Sequence, residues 1–221
     1  MGKTVVILSG GMDSSTLLAR LVGAGERVHA VTVDYSQRHG DREIAAAMMV
    51  AGHYKVPHRV IDLSDVGRRL GGSALTDPGV EVPEGHYTDE SMKATVVPNR
   101  NMMLLAVAAA VGIAEKAQAI AYAAHAGDHA IYPDCRPDFI IAMKGALELC
   151  DWNPVTLHTP YALWSKADIV REGALLGVPY HLTWSCYKGG EKHCGRCGTC
   201  VERIEAFQKA LVEDPTVYEA P

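Results

Sequence analysis

The sequence predicts a doubly wound α/β fold, a parallel sheet with helices on both faces, and three observations predict it. Short β-branched apolar runs alternate with helix-length amphipathic stretches. A glycine pair joins the first run to the first helix, and most links between elements are short. Parallel strands require crossover helices with right-handed connections, so this alternation sets strand direction.

Residues 3–8 predict the first strand, Gly10 and Gly11 the turn after it, and residues 14–22 a helix closing at Gly23 and Gly25. A second strand follows at 28–33 and ends at Asp34. Residues 42–54 predict a helix with its Ala and Met residues inward, and 59–63 a third strand. From Gly67 to Val96 periodicity gives way to Gly, Pro, Asp and Glu, over a length that reads as a functional lid. Residues 101–117 form an Ala- and Leu-rich helix, apolar over much of its circumference, as suits packing on a sheet; 119–124 give a strand and 138–149 a helix. Residues 155–158 are the last strand. Ser165 then caps a helix that runs to Leu176, with Gly177 terminating it and Pro179 preventing its resumption. The cysteine-rich remainder ends in a helix at 201–211. The expected organisation is a nucleotide-binding α/β domain over 1–183, with 67–96 as an irregular insertion, and a C-terminal zinc-binding segment over 184–221.

At 221 residues and 48% hydrophobic, the chain can bury one substantial core and is too apolar for intrinsic disorder. No run approaches the roughly 18 apolar residues that span a bilayer, and the first residues lack a cleavable secretory pattern, so a cytoplasmic protein is expected. The net charge of -5 offers no general attraction to a phosphate backbone. A small-molecule substrate fits better than nucleic acid or a membrane.

Ser9-Gly10-Gly11-Met12-Asp13-Ser14 lies between strand and helix, where unpaired backbone N–H groups and a positive dipole end favour anions. Adjacent glycines let the backbone approach an oxyanion, the two serines can donate hydrogen bonds, and Asp13 could hold Mg2+ bridging phosphate oxygens. A glycine pair is usually only a turn, but the flanking Ser and Asp weigh against that here. The loop lacks the Lys-Ser or Lys-Thr of a Walker A sequence and the glycine spacing of a dinucleotide fingerprint.

Cys186, Cys194, Cys197 and Cys200 close a tight knuckle through Gly195 and Gly198, and four soft thiolates suit one tetrahedral structural Zn2+. An iron-sulfur cluster would need a different spacing, and a redox pair would leave two cysteines unexplained. His193 reads as a neighbour of the metal on the surface or behind the ligands, and Cys150 as a small core residue. Cys135 is divided between packing and a thiolate favoured by Arg136.

The loop at 9–14 resembles the pyrophosphate loop of the N-type ATP pyrophosphatases, Ser-Gly-Gly-x-Asp-Ser, which cleave ATP between its α and β phosphates; all five specified positions match. Together with Asp34-Tyr35-x-Gln37-Arg38-His39 and Glu43, Val97-Pro98-Asn99-Arg100-Asn101, Tyr132-Pro133-Asp134-Cys135-Arg136 and the four-cysteine tail, it makes nearly the whole chain similar to the 7-cyano-7-deazaguanine synthase family. That resemblance implies ATP-dependent conversion of 7-carboxy-7-deazaguanine and ammonia to the nitrile through an acyl adenylate and an amide. Two ATP are spent, AMP and pyrophosphate are released, and the product belongs to queuosine and deazapurine biosynthesis. It also implies a homodimer.

By the same resemblance Leu8, Ser9, Gly10, Gly11, Met12, Asp13, Ser14, Asp34, Asn99 and Arg100 bind the nucleotide, and Lys166, Asp13 and Arg100 stabilise charge during catalysis. Gln37, Arg38, His39, Asn101, Asp128, Tyr132, Asp134 and Arg136 fall to the acid substrate. Ordinary capping by Asn99, a solvated Lys166 and a satisfied surface His39 are the plainer alternatives. Many relatives carry Phe-Ser-Gly before Tyr-Pro-Asp-Cys-Arg, whereas this chain has His129-Ala130-Ile131, which leaves room for an altered substrate. Two rival functions remain: an adenylating enzyme that stops at the amide or modifies tRNA, and a non-catalytic nucleotide- and zinc-dependent binding module.

Overall fold

The computed structural model describes residues 2–86, 88–126 and 132–220, so Asp128 and the 129–131 departure lie outside the described residues. In chain order the elements are β1 (Lys3–Ile7), α1 (Met12–Gly23), β2 (Arg27–Asp34), α2 (Gly40–His53), β3 (His58–Asp62), α3 (Ser64–Gly67), α4 (Asp89–Lys93) and α5 (Arg100–Ala114). They continue with β4 (Ala119–Ala121), α6 (Pro137–Glu148), β5 (Thr156–His158), α7 (Lys166–Leu175) and α8 (Gly198–Ala210).

The five strands form one sheet in the order β3-β2-β1-β4-β5, and every pairing is parallel. From β1 the chain builds outward through β2 and β3, then returns to add β4 and β5 on the other side. The strand order therefore reverses between β1 and β4, and an open α/β sheet gathers ligands in the crevice at such a switch point.

Alternation along the strands divides the core. Val5, Ile7, Val31 and Val33 pack beneath the α5 and α6 layer, while Val6, Leu8, Val28 and Ala30 meet residues of α1 and α2. Ala46, Ala47 and Ala51 turn inward from α2 as expected. Met48 and Met49 do not; they are exposed, because the small alanines let α2 lie close to the sheet and leave its longer side chains outside. A third cluster joins Met12 and Ala19 to Val170 of α7 and Phe207 of α8. Ser165 caps α7 with a reciprocal box: its hydroxyl accepts from Asp168 N–H, and the Asp168 carboxylate accepts from Ser165 N–H.

The stretch expected as a lid is stitched to the cysteine segment. Ala74 and Leu75 are fully buried, Val82 packs among the four cysteines, Gly85 N–H donates to Arg196 O at 2.7 Å, and Glu84 forms a β-bridge with Cys197. Packing also crosses position 184, since Trp184 N–H donates to Gly10 O at 2.9 Å and Arg42 lies 5.5 Å from the Trp184 ring. Cys150 corrects an expectation. It is exposed in the turn just past α6, where its thiol donates to Leu147 O while the Leu147 side chain packs into the core.

Candidate active site and metal centre

Gly10 has φ +79°, and a Cβ there would stand 2.6 Å from Glu43 O and 2.7 Å from Ala47 N. Only glycine permits both that conformation and the close approach of α2. The loop closes on itself: Ser9 Oγ and Ser14 Oγ are 3.1 Å apart, Ser9 N–H donates to Ser14 Oγ, and Gly11 N–H donates to Ser9 Oγ. No side chain caps α1, so its N-terminal amides remain for a ligand. One Asp13 carboxylate oxygen lies 3.7 Å from His125 Nε2, and the other is buried with no hydrogen-bond partner among the described residues. A buried carboxylate oxygen left bare costs stability, and a cation or a cation-bound water would satisfy it. The site therefore fits Mg2+ with a nucleotide.

Two adjoining lobes make up the cleft, and Ser9, Asp13, Glu43, Arg100, Tyr122 and Tyr187 border both. Gln37, His39, Tyr35 and Asn101 complete the deeper one; Gly11, Met12, His125, Tyr132, Lys166 and Thr199 complete the other. Arg100 opens α5 and stands 5.8 Å from the Tyr132 ring centroid. Burial opposes its charge, but the phenols of Tyr35, Tyr187, Tyr132 and Tyr122 outweigh burial and hold its pKa well above the usual arginine value. Burial would likewise push the Glu43 carboxyl up. His39, Gln37 and Arg100 reverse this and keep it below the ordinary carboxylate range. A fixed cation and a fixed anion thus face a cleft walled by phenols.

Of the residues expected at the site, Leu8, Ser9, Gly11, Met12, Asp13, Ser14, Gln37, His39, Arg100, Asn101, Tyr132 and Lys166 border the cleft. Gly10 shapes the loop from behind. Lys166 is ion-paired with Glu202 of α8. Others stand back from the cleft. The Asp34 carboxylate accepts from Ser36 N–H, and Arg38 donates to the carbonyls of Ala74, Asp77 and Val80, pinning the insertion. Asp134 accepts from Asn101 N–H and so caps the start of α5. Asn99 is exposed with φ +58° and makes no side-chain cap, and Arg136 is exposed at the start of α6. Cys135 is buried and accepts from Asn101 Nδ2 at 3.1 Å. Sequence reasoning gave no role to Tyr35, Tyr122, Tyr187, His125 or Thr199, and quoted Glu43 without assigning it one. The position of Tyr35 and Tyr122 directly after β2 and β4 was the only signal for the phenolic wall.

The four cysteines are buried, with their sulfurs within 4.8 Å of one another. Four sulfurs at zinc-ligand distance sit about 3.8 Å apart, so a small contraction would close the ring. Backbone N–H groups already point at sulfur: Cys194 N–H to Cys186 Sγ, and Arg196 and Cys197 N–H to Cys194 Sγ. Such bonds stabilise thiolates, and the donor set fits zinc. His193 is not a surface residue. It is buried between Trp184 and Tyr218, accepts from Ser185 N–H, and is held neutral by burial, its pKa pushed down to about 4.

Glycine loop, switch-point cleft and thiol knuckle together define an α/β protein of the pyrophosphate-loop class. The family model described as "Queuosine biosynthesis protein QueC" matches residues 3–211, and the chain belongs to that family. It is 54% identical to a 7-cyano-7-deazaguanine synthase of Methanoregula boonei over 98% of this chain and 99% of that one. It is also 54% identical to one from Caldicellulosiruptor saccharolyticus, over 98% and 96% respectively. Among solved structures, an NH3-dependent NAD synthetase from Campylobacter jejuni overlays with TM-score 0.48 at 14% identity, covering 81% of this chain and 66% of that one; a likeness so distant carries no argument.

Proposed function

We propose that the protein is an ATP-dependent ligase that converts 7-carboxy-7-deazaguanine and ammonia to 7-cyano-7-deazaguanine. The observation that carries this reading is the cleft itself, where a pyrophosphate loop with a bare Asp13 oxygen opens into a phenol-walled lobe holding Arg100. A carboxylate is a poor electrophile, so its oxygen must first attack the α phosphorus of ATP and expel pyrophosphate. The α1 amides and the Ser9 and Ser14 hydroxyls suit the departing phosphates, Asp13 suits the accompanying Mg2+, and Lys166 faces the same lobe from α7. Arg100 suits the acid, and the flanking phenols suit the faces of a planar deazapurine. Ammonia then displaces AMP to give the amide, and adenylation of the amide oxygen by a second ATP prepares loss of AMP to the nitrile.

Zinc, held by Cys186, Cys194, Cys197 and Cys200, would serve as a crosslink, since four thiolates leave no open position for chemistry. Among the described residues no helix is long and apolar enough to cross a membrane. We place the protein in the cytoplasm, whose reducing conditions keep such thiols free for metal. A homodimer is supported by the outward row Met102, Ala106 and Ala110 on α5, an apolar stripe in a helix with no charged residue after Arg100.

Turnover with the deazaguanine acid, ammonium and ATP tests the proposal. Nitrile with AMP and pyrophosphate is expected by mass spectrometry and chromatography. Amide as the sole product would replace the nitrile assignment, and absence of ATP consumption would remove the ligase reading altogether.

A further inference from the structure

The chemistry proposed above removes protons from nitrogen at several stages, so the cleft needs a group that can accept them. We propose that His39 is that proton acceptor and that Glu43 orients it. His39 is 2% exposed at the entry to α2 and borders the deeper lobe. Its Nε2 lies 3.4 Å from Glu43 Oε1, while Nδ1 is buried with no hydrogen-bond partner among the described residues. A histidine kept only for packing has both ring nitrogens satisfied; this one has a single partner, an anion. The carboxylate draws the proton to Nε2 and so leaves the Nδ1 lone pair as a base, the logic of a carboxylate behind a catalytic imidazole.

The surroundings hold that arrangement. Gln37 donates to the second Glu43 oxygen at 3.1 Å and accepts from Tyr35 N–H at 2.9 Å, which fixes the carboxylate. From the cysteine segment, the Tyr187 ring packs tilted against His39 at 4.8 Å, and Gly189 lies so near its stem that a Cβ there would come within 3.2 Å of His39 Cα. Arg100 and Tyr35 face Glu43 from the other elements. Of the described residues with an unpartnered buried side-chain atom, Asp13 and His39 are the ones that line the cleft. Asp13 sits with the phosphates, which leaves His39 for the nitrogen.

The steps balance. The ammonia lone pair forms the C–N bond at the acyl-adenylate carbonyl, and the carbonyl π pair moves to oxygen. The adduct nitrogen gives one proton to His39 Nδ1, the carbonyl re-forms, and the C–O bond to AMP breaks, leaving amide, AMP and imidazolium. Imidazolium returns its proton to solvent. After the amide oxygen has displaced pyrophosphate from the second ATP, nitrogen gives one proton to His39 Nδ1, which passes it to solvent, and the imidate results. The imidate nitrogen then gives its remaining proton to the same atom; the electron pair of that N–H bond completes the C≡N bond, while the C–O pair leaves with AMP.

The inference rests on the proposed function, and the test separates the two. ATP–pyrophosphate exchange driven by the acid reports adenylation, which takes no proton from nitrogen; amide and nitrile formation report the later steps. His39→Asn, a polar residue suited to the start of α2, is expected to lower amide formation about 100-fold more than exchange. Glu43→Gln, checked for bound zinc and cooperative melting, should likewise lower amide formation more than exchange, because nothing then orients the imidazole. Hydroxylamine, already neutral at pH 7 and a stronger nucleophile, should recover much of the lost acyl transfer in His39→Asn. Parallel losses in exchange and amide formation, or amide formation unaffected in His39→Asn, would overturn the role of His39. A wild-type protein that adenylates no acid would instead overturn the proposed function.

Discussion

Gly10 shows how little latitude single residues have in the loop. Replacing it by Ala imposes a left-handed conformation costing about 1–2 kcal/mol and drives a methyl into the α2 backbone. Gly10→Ala should lose about 2 kcal/mol or more in denaturant unfolding, together with calorimetrically measured ATP binding. Glu43 makes a prediction of opposite character. Its folded pKa lies below the 4.5 of a free glutamate, so its stabilising contribution is complete above that value and fades as pH falls through the folded pKa. The stability gap between wild type and Glu43→Gln, followed by thermal melting, should therefore narrow below about pH 4.5; a gap that widens would contradict the ion pairing described here. The sequence disclosed these two residues unequally. A glycine pair between strand and helix announces itself, whereas an acid in the first turn of a helix reads as a partner for the helix dipole. Cys150 misled for a related reason: composition gives a cysteine's usual fate, but only the helix phase says which way it points.

At the scale of elements, α8 and the knuckle before it form the most interdependent unit. Arg203 is wholly buried; it donates to Tyr180 O, Thr183 Oγ1, Ser185 Oγ and Asp214 Oδ1 and lies 5.1 Å from the Phe207 ring. Arg203→Met strands those acceptors and leaves Asp214 uncompensated, so a loss of about 3 kcal/mol is expected in urea unfolding. Cys197→Ser should reduce bound zinc, read by metal analysis, and speed amide exchange at Gly85, whose N–H is held by Arg196 O beside the knuckle. Unchanged exchange there would mean the insertion is secured without the metal. Most elements were legible because their periods are clean. The exceptions are local: β4 stops at Ala121, where its pairing with both β1 and β5 ends, and α5 ends at Ala114, before the left-handed Lys116.

On the scale of the whole molecule, the sheet order was legible in outline from alternation, and the crevice between β1 and β4 followed from it. The attachment of 67–96 was not. Among its buried residues, Ala74 and Val82 have no periodic spacing and find their partners in the four cysteines more than a hundred residues away, while Leu75 packs with Tyr35 and Val97. The outward apolar row of α5 predicts self-association: sedimentation velocity should show a dimer, and Ala106→Glu should shift it to monomer without altering the melting temperature of the fold.

The hydrogen bond from Trp184 to Gly10 sets an order of events in the life of each molecule. The nucleotide loop is synthesised before the segment that supplies one wall of its cleft, so a nascent chain halted before Trp184 presents a loop without its backing. The cleft is complete only after the segment that carries the thiols has been made and has folded down.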